Sequence, residues 1–338
     1  MLLIDKYRPS TKDESCFHKE ILEMLEIMSK DNAIPHTIFH GCDGVGKRTL
    51  INIFLGMMFG KGAKNIKEVS YEIVSSGGKK TPEKIRQSNY HIEINPKGTN
   101  YDKYLIHEIV KEYAKNKSIN VLFEDNKKFK LVLINNVDNL SPVAQMALRR
   151  TMEVYSDKCR FILWCQSLSK LIKELQSRCI KLCVSSPMDD EIFVYLAKIS
   201  IYEKIDVSFE RLCEIVKKSQ GNIKHGLWEL EYIKHGYTLN TEYINTIGII
   251  VDKMVNCNFE NLKIIKDLLS NLTITNFTGQ TILKDIIDKI CDYDNISDEK
   301  KQKIINKSAE IDYRFIKKRR ESIHFNAFIL YAVSVLMS

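Results

Sequence analysis

The chain has no CxxC pair, no internal repeat, no long disordered linker and no apolar run as long as a membrane helix. Its nine cysteines stand singly at 16, 42, 159, 165, 179, 183, 213, 257 and 291, which argues against a zinc ribbon. The odd count points to free thiols in a reducing compartment. Charge arrives at Asp5 and Lys6, too early for a signal peptide. The final apolar stretch, "FNAFILYAVSVLMS", is shorter than the ~20 residues a bilayer helix needs and contains Asn326. A buried terminal helix is expected there, not a tail anchor. The "KKRR" before it (317–320) reads as a nuclear import signal or, more often, as the wet face of a helix. Strong charge of one sign is also missing. The formal net charge of +8 fits a solvated Lys-rich surface and has the right sign for nucleic acid.

What is present suits a soluble globular protein of two or three domains. The chain has 338 residues, 44% hydrophobic and 28% charged. Up to about residue 185, strand-like and helix-like stretches alternate. "HTIFH" (36–40), "YHIEINP" (90–96), "KLVLIN" (130–135), "RFILWC" (160–165) and "CIKLCV" (179–184) read as strands. Leu50, Ile51, Phe54, Leu55, Met58 and Phe59 recur at helical spacing. Ser141 and Pro142 open another helix as cap and first-turn residue. Such alternation implies a mainly parallel sheet, an α/β fold. From about 186, three short helices follow, in "MDDEIFVYLAKISIYEK", "FERLCEIVKKS" and "IKHGLWELEYIKHG", and from about 241 everything reads as helix.

Between the first strand and its helix lies "GCDGVGKRT" (41–49), a G-x-x-x-x-G-K loop. Gly41, Gly44 and Gly46 let the backbone wrap phosphates, with Cys42, Asp43 and Val45 between them. Lys47 reaches the β and γ phosphates at the positive end of the helix. The next residue is Arg48, where Ser or Thr normally ligates Mg²⁺; Thr49 comes one place late, about 100° around the helix.

A further absence is local. In P-loop hydrolases a second strand ends in an Asp that holds Mg²⁺ through water, then an acid that polarises the attacking water. "KLVLINNVDNL" (130–140) ends in Asn135 and Asn136 instead. An amide neither balances a divalent cation nor accepts a proton well. The expectation is that nucleotide binds but is hydrolysed slowly or not at all, with Asp138 a minor candidate for compensation.

Together, "DKYRP" (5–9), "PHTIFHG" (35–41), "SNYHIEINP" (88–96), "AQMALRRTME" (144–153) and "QSRC" (176–179) resemble one family. It is the small subunits of replication factor C, the sliding-clamp loader among AAA+ ATPases. Within it the resemblance is greatest to the type called subunit 3 in humans and subunit 5 in yeast. That type also has a loop ending Gly-Lys-basic-Thr, a disrupted acid strand and the "SNYH" stretch. The resemblance implies an AAA+ P-loop domain over 1–185, a helical lid over 186–240 and a helical collar over 241–338. It implies ATP or ADP as cofactor, while the departures argue against Mg²⁺ at this chain's own site. Implied partners are sister subunits in a hetero-pentamer, a sliding clamp of the proliferating-cell-nuclear-antigen type, and primer-template DNA, with no membrane. The implied location is nuclear, or a cytoplasmic replication site if the gene is viral.

Residue roles follow from the same resemblance. Lys6, Tyr7, Arg8 and Pro9 pack near the adenine. Gln166, in "WCQSLSK", takes the place of a sensor Asn, and Lys224, in "GNIKHGL", that of a sensor Arg, keeping charge but losing the guanidinium fork. Arg178, in the intact Ser177-Arg178-Cys179, is expected to reach a neighbour's ATP, where such a guanidinium supplies roughly 10³–10⁵ in rate. His107, Val110 and Tyr113 mimic a clamp-binding spacing, or else mark an amphipathic core-facing helix. Lys79, Lys80, Lys84, Arg86, Lys103, Arg149 and Arg150 are candidates for phosphate contacts with DNA, without base readout. Two other functions stay open on sequence alone: an independent P-loop ATPase or kinase, and a shared subunit of a checkpoint or cohesion loader.

Overall fold

The computed structural model describes residues 1–30, 34–74, 80–96, 102–115, 129–236, 241–256, 258–274, 279–293, 296–317 and 321–337. The chain divides into two compact units, Met1–Tyr237 and Thr238–Ser338.

In the first unit, helices α1 (Leu3–Lys6) and α2 (Lys19–Lys30) precede strand β1 (Thr37–His40), and α3 (Lys47–Phe59) follows the Gly-rich loop. Next come β2 (Lys67–Val74), β3 (Lys80–Gln87), β4 (His91–Ile94), α4 (Asp102–Lys115) and β5 (Lys130–Ile134). Then follow α5 (Pro142–Val154), β6 (Cys159–Cys165), α6 (Lys173–Gln176) and β7 (Ile180–Cys183). Three helices complete the unit: α7 (Asp189–Glu203), α8 (Phe209–Ser219) and α9 (Ile223–Lys234).

The sheet runs β2-β3-β4-β5-β6-β1-β7. The five strands from β4 to β7 pair in parallel, as the strand-helix alternation predicts. β2 and β3 add an antiparallel hairpin at the β4 edge, which the sequence reading does not anticipate. Its strands are rich in Lys and Glu, so their apolar alternation is thin. Among the described side chains of the hairpin, the buried apolar ones are Tyr71, Ile73 and Ile85.

Two apolar layers sandwich the sheet. On one side Ile106, Ile109, Val110 and Tyr113 of α4 join Leu148 and Met152 of α5 against Ile92, Val132 and Phe161. On the other, Leu22 and Leu25 of α2 and Leu50, Ile51 and Phe54 of α3 pack on Phe39, Leu131 and Ile162. Each such side chain contributes about 1.5–3 kcal/mol when fully buried. Ser141 caps α5 by accepting from the Ala144 amide at 3.3 Å, with Pro142 in the first turn. α7–α9 hold their own cluster, Ile192, Leu196, Ile199, Leu212, Ile215 and Leu230, which also takes in Leu3 of α1.

The second unit is all helix: α10 (Thr241–Val255), α11 (Phe259–Ile274), α12 (Gly279–Cys291), α13 (Asp298–Lys317) and α14 (Glu321–Met337). The terminal apolar run lies in α14, and Phe325, Phe328, Ile329, Ala332 and Val333 are buried in this unit's core. Among the described residues no helix is long and apolar enough to cross a membrane. Of the "KKRR" run, 318–320 lie outside the described residues.

Candidate nucleotide site

Parallel strands deliver their C-terminal ends to one edge of the sheet, where α/β proteins place ligands. β6 lies between β1 and β5, with Phe39 opposite Trp164 and Ile134 opposite Leu163. Trp164 and Asn135 therefore emerge side by side next to the Gly-rich loop. A cavity of about 400 Å³ opens there.

The loop needs its glycines for space as well as rotation. A Cβ on Gly41 would sit 2.1 Å from the Val184 carbonyl oxygen, and one on Gly44 would sit 1.8 Å from Asn222 Oδ1. Both residues have positive φ, 155° and 74°. Gly46, also at positive φ, turns the chain into α3. Asp43, Gly44, Val45, Gly46, Lys47, Arg48 and Thr49 line the cavity. Gly41 and Cys42 are not part of its described wall; their carbonyls accept from Lys47 Nζ at 2.7 and 2.5 Å. Lys47 is nearly buried, and burial lowers its pKa against the opposing pull of Asp43. Its ammonium also lies 5.4 Å from the centre of the Trp164 ring.

The metal side of the site is occupied by neutral chemistry. Asn135 is 5% exposed. Its Oδ1 accepts from the indole N–H of Trp164 at 2.6 Å, and its Nδ2 donates to Asn95 Oδ1 at 2.5 Å. Asn136 is left-handed at φ 46°, a conformation Asn tolerates, and also lines the cavity. Arg48 is drawn to Glu93 of β4, 3.7 Å away, which Arg86 of β3 approaches at 3.3 Å. Glu93 is 3% exposed, so the two guanidinia compensate a buried charge.

Tyr7, Arg8, Pro9, Phe17, His18 and Tyr195, with Ile223, Lys224 and Leu227 of α9, also line the cavity. His18 Nε2 lies 2.9 Å from the Val45 carbonyl oxygen. Tyr195 donates to the Tyr7 carbonyl at 3.0 Å. Lys6 of the same box is outside the described wall; it pairs with Glu203 at 2.5 Å. Tyr7 donates to that carboxylate at 2.6 Å and Lys234 at 2.8 Å. Lys234, Lys6 and Tyr7 together hold Glu203 down to about 2, and the same bond pushes Tyr7 up to about 12. Lys224 Nζ sits 4.6 Å from the Trp228 ring centre.

Other predicted residues lie apart from the cavity. Gln166 is outside its described wall, and its backbone N–H donates to Asp138 Oδ2 at 3.2 Å. Arg178 follows α6, where Nη1 donates to the Glu174 carbonyl at 2.9 Å and Nη2 pairs with Glu153 of α5. Arg149 lies 3.4 Å from the same carboxylate, and Arg150 is exposed. Val110 and Tyr113 are 0% and 2% exposed, both in the core; only His107 of that trio is exposed. The three share no docking face, and α4 behaves there as the amphipathic core-facing helix. Lys84 and Arg86 stand exposed on one face of β3 and line a second cavity of about 510 Å³ with Glu93 and Asn95. Lys103 lies against the Tyr104 ring. Lys79 and the side chain of Lys80 lie outside the described residues.

Sequence reasoning missed Asn95, Trp164, Glu93 and Glu203. Asn95 and Trp164 carry a usable signal, since each sits at or next to the end of a strand leading to the site. The two glutamates carry none, because their partners come from other elements.

The comparisons with known proteins agree with this geometry. The family model described as DNA polymerase III, delta subunit, matches residues 17–187. Replication factor C subunit 5 of Oryza sativa subsp. japonica is 35% identical over 238 residues, 69% of this chain and 67% of that one. Replication factor C subunit 3 of Homo sapiens is 33% identical over 227 residues, 67% of this chain and 63% of that one. A chain named as a replication factor C small subunit in Acanthamoeba polyphaga mimivirus is 34% identical over 274 residues, 80% of this chain and 74% of that one. Among solved structures, the Thermotoga maritima RuvB Holliday junction branch migration motor aligns at TM-score 0.48 and 14% identity over 84% of this chain and 80% of that one; so loose a likeness adds nothing on function. With the phosphate loop on a parallel sheet edge and relatives of this identity over two thirds or more of the chain, the chain belongs to the replication factor C small subunits, the AAA+ clamp-loader family of DNA replication, and within it to the subunit 3 / subunit 5 type.

Proposed function

We propose that this chain works as one subunit of a hetero-pentameric clamp loader that opens a sliding clamp and loads it on primer-template DNA. Its own cavity holds ATP or ADP and turns it over slowly or not at all. Its contribution to hydrolysis is Arg178, donated to the nucleotide of a neighbouring subunit.

The observation that carries this reading is the fate of Asn135. A carboxylate at that strand end would balance a cation and order a water. Asn135 instead spends its oxygen on Trp164 and its N–H on Asn95. Gln166 and Asp138 lie outside the described wall of the cavity, with Asp138 accepting the Gln166 backbone N–H. Arg178 is supported by contrast: its side chain and that of Glu153 are 36% and 38% exposed. A pair so exposed holds by about 0–1 kcal/mol, so an incoming phosphate can displace the carboxylate. Binding to DNA falls to exposed basic residues such as Lys84 and Arg150, through phosphates, and weakens as salt rises.

Single-turnover hydrolysis by the isolated, nucleotide-loaded chain tests the central claim. The expected rate lies far below the ordinary range of about 1–100 s⁻¹. Turnover within that range, with no sister chain present, would refute it.

A further inference from the structure

We infer that the cavity takes its nucleotide as the metal-free polyphosphate anion, because the residues at the metal position cannot hold Mg²⁺. The inference rests on the nucleotide-site reading above and goes beyond it, from slow chemistry to the form of the ligand.

A Mg²⁺ ion beside phosphates needs oxygen ligands in near-ideal octahedral geometry, usually with one or two carboxylates. At the position after Lys47 the side chain is a cation, Arg48, turned toward Glu93. At the strand end, Asn135 Oδ1 already accepts the indole N–H. That leaves the cation one lone pair on an uncharged amide oxygen, in place of a carboxylate's full negative charge. The indole itself is donor-only and adds no ligand of its own. The ring also faces the Lys47 ammonium, so positive charge already occupies that side.

The remaining acids do not reassemble the site. Glu93 is neutralised by Arg48 and Arg86. Asp138 is not in the described wall of the cavity; its Oδ2 takes the Gln166 backbone N–H, and its buried Oδ1, which has no hydrogen-bond partner among the described residues, is the oxygen that the Asp138→Asn control addresses. Asp43 and Glu14 line the cavity from the loop and the N-terminal segment. Among the described residues no group of three His, Cys, Asp or Glu is placed to hold a metal. Neutralisation of the phosphates falls instead to Lys47, Lys224, the loop amides and the positive end of the 13-residue α3.

The test is equilibrium binding of fluorescent ADP and ATP analogues to the full chain, in millimolar Mg²⁺ and in EDTA. The expected dissociation constant in EDTA equals or undercuts that in Mg²⁺, since Mg²⁺ sequesters the free anion. Tightening by Mg²⁺ of about tenfold or more overturns the inference. So does a Mg²⁺ dependence that Asp138→Asn abolishes, because the metal would then have found another ligand. The double variant Arg48→Thr, Asn135→Asp is expected to acquire Mg²⁺ tightening of about tenfold. If it still binds nucleotide and gains none, exclusion does not reside at these positions. No nucleotide binding in either buffer would bring down the nucleotide-site reading itself, whereas Mg²⁺-dependent binding brings down only this inference.

Discussion

Arg48 and Arg178 each face a glutamate, and the burial of that glutamate separates them. Glu93, opposite Arg48, is 3% exposed, and Glu153, opposite Arg178, is 38% exposed. A buried carboxylate needs its cations, because an uncompensated charge away from water costs several kcal/mol. A surface carboxylate is solvated with or without its partner. Arg48 is therefore committed to the fold of its own subunit. Arg178 is held loosely enough to leave.

The largest expected effect breaks the Arg178 side. Arg178→Ala in the assembled complex is expected to slow hydrolysis at the neighbouring site by roughly 10³-fold or more. Pentamer assembly and the melting temperature of the isolated chain should hardly change. Normal hydrolysis in a complex proven to contain the variant would end the role assigned to this arginine.

Next comes the Arg48 side. Replacing both Arg48 and Arg86 by Ala leaves Glu93 buried without a cation, and should cost about 3 kcal/mol of stability. Urea denaturation measures it. Adding Glu93→Gln to the same background should restore most of the loss. A double variant as stable as the parent would mean that Glu93 is solvated and that the contrast with Glu153 is false.

Acid sharpens the role of burial. His91, at the start of β4 two residues before Glu93, and His36 are held down to about 4, chiefly by desolvation. The fold thus prefers both neutral, while the unfolded chain takes up protons from about pH 6.5 downward. Stability should be fully present above that value and fall as the pH drops from 6.5 toward 4, by on the order of 2 kcal/mol per histidine. Glu203 runs the same way in a lower window: its folded value of about 2 makes its contribution present above the ordinary carboxylate pKa and lost as pH falls from there toward 2. A flat urea midpoint between pH 7 and 4.5 would contradict the buried-neutral account of the histidines.

The smallest effect belongs to Glu153→Gln. The isolated chain should lose at most about 1 kcal/mol. In the complex, a finger freed of its carboxylate should hydrolyse as fast as the parent or faster. A large loss of stability would place Glu153 with Glu93 and collapse the comparison.

Much of this site was legible before any coordinates. G-x-x-x-x-G-K between a strand and a helix has few physical alternatives, and Arg48, Asn135 and Asn136 are visible departures from a pattern of charge. The helices of both halves are legible, α3 from apolar spacing and α14 from a terminal apolar run. The β2–β3 hairpin was hidden because half-solvated strands of Lys and Glu carry little apolar alternation. Val110 and Tyr113 were ambiguous for a related reason: a helix stripe looks the same whether it meets a core or a partner.

The order of amino acids alone determined the phosphate cradle, the α/β-then-helical plan and the loss of the acids, since each depends on residue type at fixed local spacing. Only the tertiary structure decided where the replacements turn. That Asn135 bonds Trp164 and Asn95, that Arg48 turns toward Glu93, and that Arg178 rests on a solvated carboxylate all depend on which strands and helices lie side by side. Local spacing cannot specify that, because those contacts join residues 25 to 45 positions apart across the sheet or between its helices, at roughly the size of one side chain.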